Sequence, residues 1–161
     1  MKFEHLIQIN DPLNPLMDTI TPEQLWRGLV LRAEAPKLFV PHLDESTIDE
    51  REAGSFRRRL RYGDLVVQDR VVLEPLRSVR YEVPAQGDIP ASLLVMSIET
   101  PDEHNLLVRF RYDDGHPESL DQASQMYDDF KRSAYQEADI DTVKIIREMA
   151  AKRQLDPSPL H

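Results

Sequence analysis

The sequence predicts an α+β fold in which a curved antiparallel sheet with one apolar face is covered by a long C-terminal helix. Three observations carry this expectation. A single alternating strand opens the chain and a capped helical segment follows it. From residue 47 to residue 113 the hydrophobic period is two, strand after strand. Beyond Gly115-His116-Pro117 the pattern turns helical and stays so to about residue 155. With 161 residues and 40% hydrophobic content the chain has enough for one core, so a single domain over 1–155 with a frayed tail at 156–161 is expected.

In FEHLIQI, Phe3, His5, Ile7 and Ile9 fall on one face while Glu4, Leu6 and Gln8 fall on the other, which marks a half-buried strand. Pro12 and Pro15 break it. Thr21-Pro22-Glu23-Gln24 is a helix start: Thr21 can cap, Pro22 suits the first helical position, and Gln24 completes a capping box. Leu25, Leu29 and Ala33 share one stripe of this helix, with Trp26 and Val30 beside it, and Pro36 stops it. Residues 37–39 leave room for a short extra turn. The strands that follow divide at Ala53-Gly54, Gly63-Asp64, Pro75-Leu76-Arg77, 84–90 and 100–105. On the C-terminal helix, Tyr127, Phe130 and Ala134 are expected to form the buried stripe, with Asp128, Asp129, Lys131 and Arg132 in water. At 1.5 Å per residue a helix of that length spans roughly 50 Å, which leaves a kink or restart near Asp139-Ile140-Asp141-Thr142 open.

Taking Gly63-Asp64 as a two-residue hairpin loop fixes a register. Tyr62 then faces Leu65, Leu60 faces Val67, Arg58 faces Asp69 and Phe56 faces Val71. That row is mostly large and apolar, so it should face the core, and the row of Arg57, Arg59, Arg61, Gln68 and Arg70 should face water. Leu73, Val79, Tyr81 and Val83 continue the inner face, followed by Leu94, Met96 and Ile98 and then Leu106, Val108, Phe110 and Tyr112. Arg58 and Asp69 depart from this pattern, because two charges on an apolar face cost several kcal/mol each unless they pair. Two readings stand. The pair is either a structural ion pair near a sheet edge or a polar anchor on the floor of a ligand cavity. His5, also inward, is expected to be a hydrogen-bonded core histidine.

Charge excludes some functions. Lys and Arg number 20 against 29 Asp and Glu, a net charge of −9, which argues against nucleic-acid binding. The run Arg57-Arg58-Arg59-Leu60-Arg61 alternates across two faces beside Asp49, Glu50 and Glu52. With no Cys there is neither a disulfide nor a thiolate metal site. The five His show no ligand-pair spacing, the five Gly are scattered, and no Ser sits in a nucleophile elbow. No metal, cofactor or catalytic residue is expected. MKFEHLIQINDP is charged and alternating rather than signal-like, and no apolar run approaches a membrane span. A soluble, cytoplasmic protein follows as the expectation, its oligomeric state open.

The segments FEHLIQIN, QLWRGLVLRAEAP, FVPHLD, IDERE, RRRLRYGDLVVQDRVVLEP, VRYEV and SAYQEADIDTVKIIRE resemble the AtaL-like family, a group within the START and birch-pollen-allergen-like (SRPBCC) superfamily. The resemblance runs from Phe3 to about Met149. It implies the helix-grip fold: a bent seven-stranded antiparallel sheet around a long C-terminal helix, with two short helices closing one end. It also implies a deep, largely hydrophobic cavity between sheet and helix. On that architecture the inner face supplies the candidate ligand-binding residues. These are His5 and Ile7 on the first strand, Arg58 and Leu60, and Asp69 and Val71. Tyr81, Met96, Val108 and Phe110 continue the wall, with Tyr127, Phe130 and Ala134 on the helix side. The function expected is binding of a hydrophobic or amphipathic small molecule. The alternatives are a cyclase, hydratase or isomerase acting on a polyketide-like or aromatic substrate in the same cavity, with Asp69 or His5 as acid or base, and an interaction module whose cavity is vestigial.

Overall fold

In the computed structural model, which describes residues 1–117 and 121–157, the period-two segments become seven strands. Strand β1 (Lys2–Asn10) is followed by helix α1 (Pro22–Glu34) and a single 3-10 turn at Pro36–Leu38. Strands β2 (Glu45–Glu52), β3 (Ser55–Tyr62), β4 (Leu65–Glu74), β5 (Ser78–Val83), β6 (Ser92–Asp102) and β7 (Asn105–Asp113) come next, and then helix α2 (Gln122–Ala151). The strands form one antiparallel sheet in the order β1-β7-β6-β5-β4-β3-β2. With the long C-terminal helix this is the helix-grip arrangement.

Local chemistry sets the elements. Thr21 Oγ1 accepts from the Gln24 backbone N–H at 3.1 Å and Gln24 Oε1 accepts from the Thr21 N–H at 2.9 Å, so the capping box is closed in both directions. The Gly63-Asp64 hairpin holds the expected register, with Arg58 opposite Asp69 and Leu60 opposite Val67; Gly63 takes the left-handed conformation (φ 60°) that this turn needs. The inner face of the sheet buries Phe56, Val71, Val79, Met96, Val108 and Phe110 against Leu25, Leu29 and Ala33 of α1 and Val143 and Ile146 of α2. Where the helices meet, a Cβ added to Gly28 would sit 2.9 Å from two side-chain carbons of Ile146, so glycine is what lets them approach.

Helix α2 answers the question left open at 139–142 and differs from the expectation in the face it buries. It runs for 30 residues without a restart at 139–142, about 45 Å at 1.5 Å per residue. Its buried stripe is Asp128, Asp139, Thr142, Val143 and Ile146, whereas Tyr127 is 62% exposed, Phe130 is 72% exposed, and Ala134 also faces water. The aromatic side chains gave the wrong face because inward positions of this helix are polar, Asp139 and Thr142 finding partners inside. The helix start expected right after Pro117 falls partly on 118–120, outside the described residues; Asp121 caps Gln122 onward, its side chain accepting from the Ser124 N–H. Of the tail expected to fray, Asp156 accepts from Gln24 Nε2 at 3.0 Å, and 158–161 lie outside the described residues. No helix among the described residues is long and apolar enough to cross a membrane.

Candidate functional site

A cavity of about 260 Å³ lies between the inner face of the sheet, the 3-10 turn and the two helices. Pro36, Val40, Leu60, Val67, Val83 and Leu94 supply apolar wall; Arg32, Arg58, Tyr62, Asp69, Tyr81, Tyr112 and Tyr135 supply polar groups. This mixture of apolar wall with a few placed polar groups is what ligand sites have in common, although the volume lies below the ~300–1,000 Å³ usual for drug-sized molecules.

The floor is the Arg58–Asp69 pair. Both side chains are about 5% exposed or less, Nε donates to Asp69 Oδ1 at 2.9 Å, and Nη2 donates to Oδ2 at 2.5 Å. Nη1 donates to the Ala33 carbonyl at 3.0 Å, tying the floor to the end of α1. The pair is therefore a structural ion pair, buried rather than at a wetted edge, and it also borders the cavity. Its five-donor fork and the two carboxylate oxygens match face to face, the geometry in which a buried pair repays its desolvation.

Beside it, the Tyr81 ring lies between two guanidinium groups, with Arg58 Cζ 4.9 Å and Arg32 Cζ 5.3 Å from its centroid. Arg32 Nε donates to Thr142 Oγ1 at 3.2 Å, and Arg32 forms no salt bridge with the described residues. Burial works against its charge, but Tyr81, Tyr112 and Asp139 outweigh burial and its pKa moves up. The Tyr81 hydroxyl is fully buried and has no hydrogen-bond partner among the described residues.

At the far wall Tyr112 donates to Asp139 Oδ1 at 2.6 Å, and His5 Nε2 meets Asp139 Oδ2 at 2.7 Å. Burial pushes the Asp139 carboxyl above its ordinary range, partly offset by the Tyr112 and His5 contacts. Burial and the Asp139 carboxylate likewise drive the Tyr112 phenol far upward, so it stays protonated and acts as a donor. Tyr135 of α2 stacks on Tyr112 with ring centroids 3.9 Å apart. Lys131 donates to Asp114 at 2.6 Å at the rim.

Of the candidate residues, Arg58, Leu60, Asp69 and Tyr81 line the cavity. Val71, Met96, Val108 and Phe110 are fully buried in the core, not on the cavity wall. Ile7 packs against that core, and His5 is the hydrogen-bonded, ring-stacked histidine expected, its imidazole 5.4 Å from Phe3 and 5.3 Å from Phe110. Tyr127, Phe130 and Ala134 are turned away; the helix side is Tyr135 instead. Trp26 packs on the core and does not reach the cavity. Sequence reasoning missed Arg32 and Tyr135. Arg32 stands three residues after Leu29 on the buried side of α1, and a cation at that position was the available signal.

Residues 7–153 match the model of the family described as acetylaranotin biosynthesis cluster protein L, AtaL. The chain belongs to the AtaL family. No protein of curated function matches it. Among solved structures, this AtaL-family chain is similar to the Zhui aromatase/cyclase of a Streptomyces species, at 15% identity over 95% of this chain and 94% of that one, TM-score 0.61. It is similar to the di-domain aromatase/cyclase StfQ of the steffimycin biosynthetic pathway, at 11% identity over 95% of this chain and 52% of that one, TM-score 0.68. It is also similar to Ara h 8.0201, at 13% identity over 94% of this chain and 98% of that one, TM-score 0.57. At these identities the likeness is one of fold, the helix grip.

Proposed function

We propose that this AtaL-family protein binds a small amphipathic molecule in the cavity between the sheet and the helices. The observation that carries this reading is a chamber whose apolar wall is interrupted by a few placed polar groups, Arg32, Arg58, Asp69 and Tyr81 among them. Apolar burial at about 25 cal/mol per Å² supplies affinity and the polar end supplies orientation. The similar structures named as aromatase/cyclases raise turnover as the second reading, with a polyketide-like or aromatic substrate cyclised, hydrated or isomerised in place. That reading needs an acid or base facing the chamber. Asp69 gives both oxygens to Arg58, His5 is engaged by Asp139 away from the lining, and Tyr112 holds its proton tightly. Binding is the function these positions favour.

The test is native mass spectrometry of freshly purified protein, together with uptake of N-phenyl-1-naphthylamine by delipidated protein. A co-purified hydrophobic mass, or a saturable fluorescence rise competed away by aromatic ligands, supports the reading. A clean apo mass with no dye uptake overturns it.

A further inference from the structure

The cavity contains two polar groups that the fold itself leaves short of partners, and they are neighbours. Arg32 carries its charge into the chamber with Nε on Thr142, and no carboxylate of the described residues forms a salt bridge with it. Tyr81, 4% exposed, has a hydroxyl without a hydrogen-bond partner among the described residues. A buried hydroxyl is normally satisfied, because an unmet one forfeits its hydration for nothing, and a half-buried cation on an apolar wall is normally paired. The other charges around the chamber are accounted for. Asp69 neutralises Arg58, Lys131 neutralises Asp114, and Asp113 accepts from the Gly115 N–H. Asp139 spends one oxygen on His5 and the other on Tyr112. A cation and a hydroxyl donor are what remains.

Resting on the cavity-binding reading, we propose that Arg32 and Tyr81 form an oxyanion subsite, and that the ligand is a small aromatic or similarly apolar molecule carrying one ionised oxygen acid, a carboxylate or an acidic phenol. The Tyr81 hydroxyl donates to that oxygen and the Arg32 guanidinium supplies the counter-charge in a low-dielectric chamber, where such a bond is strong. Volume bounds the rest of the molecule. A cavity of 150 Å³ takes a benzene, so about 260 Å³ takes one or two fused rings with a short substituent rather than a long acyl chain. Arg58 is not part of the subsite, since Asp69 and the Ala33 carbonyl already use its fork.

The test compares 2-naphthoate with its neutral analogue 2-acetylnaphthalene by isothermal titration calorimetry on the full chain, with Arg32→Gln, Arg32→Lys and Tyr81→Phe variants. Charged hydrogen bonds in such sites are worth about tenfold or more in affinity. The expected result is that 2-naphthoate binds at least about tenfold more tightly than 2-acetylnaphthalene, and that Arg32→Gln removes the difference. Arg32→Lys, which keeps the charge, retains part of the preference and stands in if Arg32→Gln fails to fold. Tyr81→Phe weakens 2-naphthoate several-fold. If both probes bind wild-type protein equally, the subsite is overturned and the cavity reading survives. If neither binds, both are overturned. A preference that survives Arg32→Gln and Tyr81→Phe intact also overturns the subsite.

Discussion

Substituting Asp69 by Ala removes two of the three hydrogen bonds that hold the Arg58 guanidinium, those from Nε and Nη2, and leaves only the one to the Ala33 carbonyl. At 5% side-chain exposure the cation cannot turn to bulk water. Two hydrogen bonds to a charged group are worth roughly 1.5–3 kcal/mol each, and breaking a buried pair by removing one partner costs about 3–5 kcal/mol. Because Arg58 borders a chamber that water can enter, the lower end, about 3 kcal/mol, is expected. For a chain of this size that corresponds to a fall of roughly 6–12 °C in Tm. Urea unfolding followed by Trp26 fluorescence measures it, with an unchanged m-value as the check that the unfolding reaction is the same. The double variant Arg58→Met with Asp69→Leu removes both charges and fills their volume, so it should unfold within about 1 kcal/mol of wild type or be more stable. A loss below about 1 kcal/mol for Asp69→Ala would refute the buried pair. So would a double variant as unstable as the single one.

Gly28→Ala adds a methyl 2.9 Å from Cγ1 and Cγ2 of Ile146, a β-branched side chain that cannot swing aside. Overpacking of about 1–3 kcal/mol should exceed the roughly 1 kcal/mol gained in helix propensity, and combining it with Ile146→Ala should cost less than the sum of the two, as a double-mutant cycle in urea would register. The register of α2 predicts that Phe130→Ser changes stability by no more than about 0.5 kcal/mol while Ile146→Ala costs about 2–5 kcal/mol; equal losses in thermal melts would contradict the assigned face. For pH, burial raises Asp139 above its ordinary 3.8, so between that value and its own pKa the folded chain holds a proton that the unfolded chain has released. Its contribution to stability is therefore full below pH 3.8 and lost as pH rises through the folded value. Asp139→Asn, which carries no titrating carboxyl, should therefore gain on its parent as pH rises above 3.8. A pH-independent gap in urea midpoints would disprove it.

The fold was legible because its signals are local and repeat. Thr21-Pro22-Glu23-Gln24 specifies a helix start by hydrogen bonds within four residues, and Gly63-Asp64 sets the register of β3 against β4, from which every inward residue of both strands follows. The face of α2 was not legible, because its inward positions Asp128, Asp139 and Thr142 are polar and its outward ones include Tyr127 and Phe130. Periodicity reads such a helix inside out. What fixes the face is Asp139 meeting His5 and Tyr112, residues 134 and 27 positions away, and no pattern within the helix contains that information. The cavity wall was half legible for the same reason. Arg58, Asp69 and Tyr81 come from strand alternation, while Arg32 and Tyr135 reach it through the way two helices stand on the sheet.

The places where single-residue rules fail lie together. Across the outer sheet face and along α1 the charge pattern, caps and turns agree with the fold. At the cavity a cation sits on the inner side of a helix, a phenol is buried without a hydrogen-bond partner among the described residues, and an ion pair lies on an apolar face. Each costs stability that an apolar substitution would recover. A fold only meant to pack would spread such costs or avoid them. Their convergence on one chamber of about 260 Å³ is what the proposed binding function would lead one to expect, because local violations of folding rules collect where function demands them.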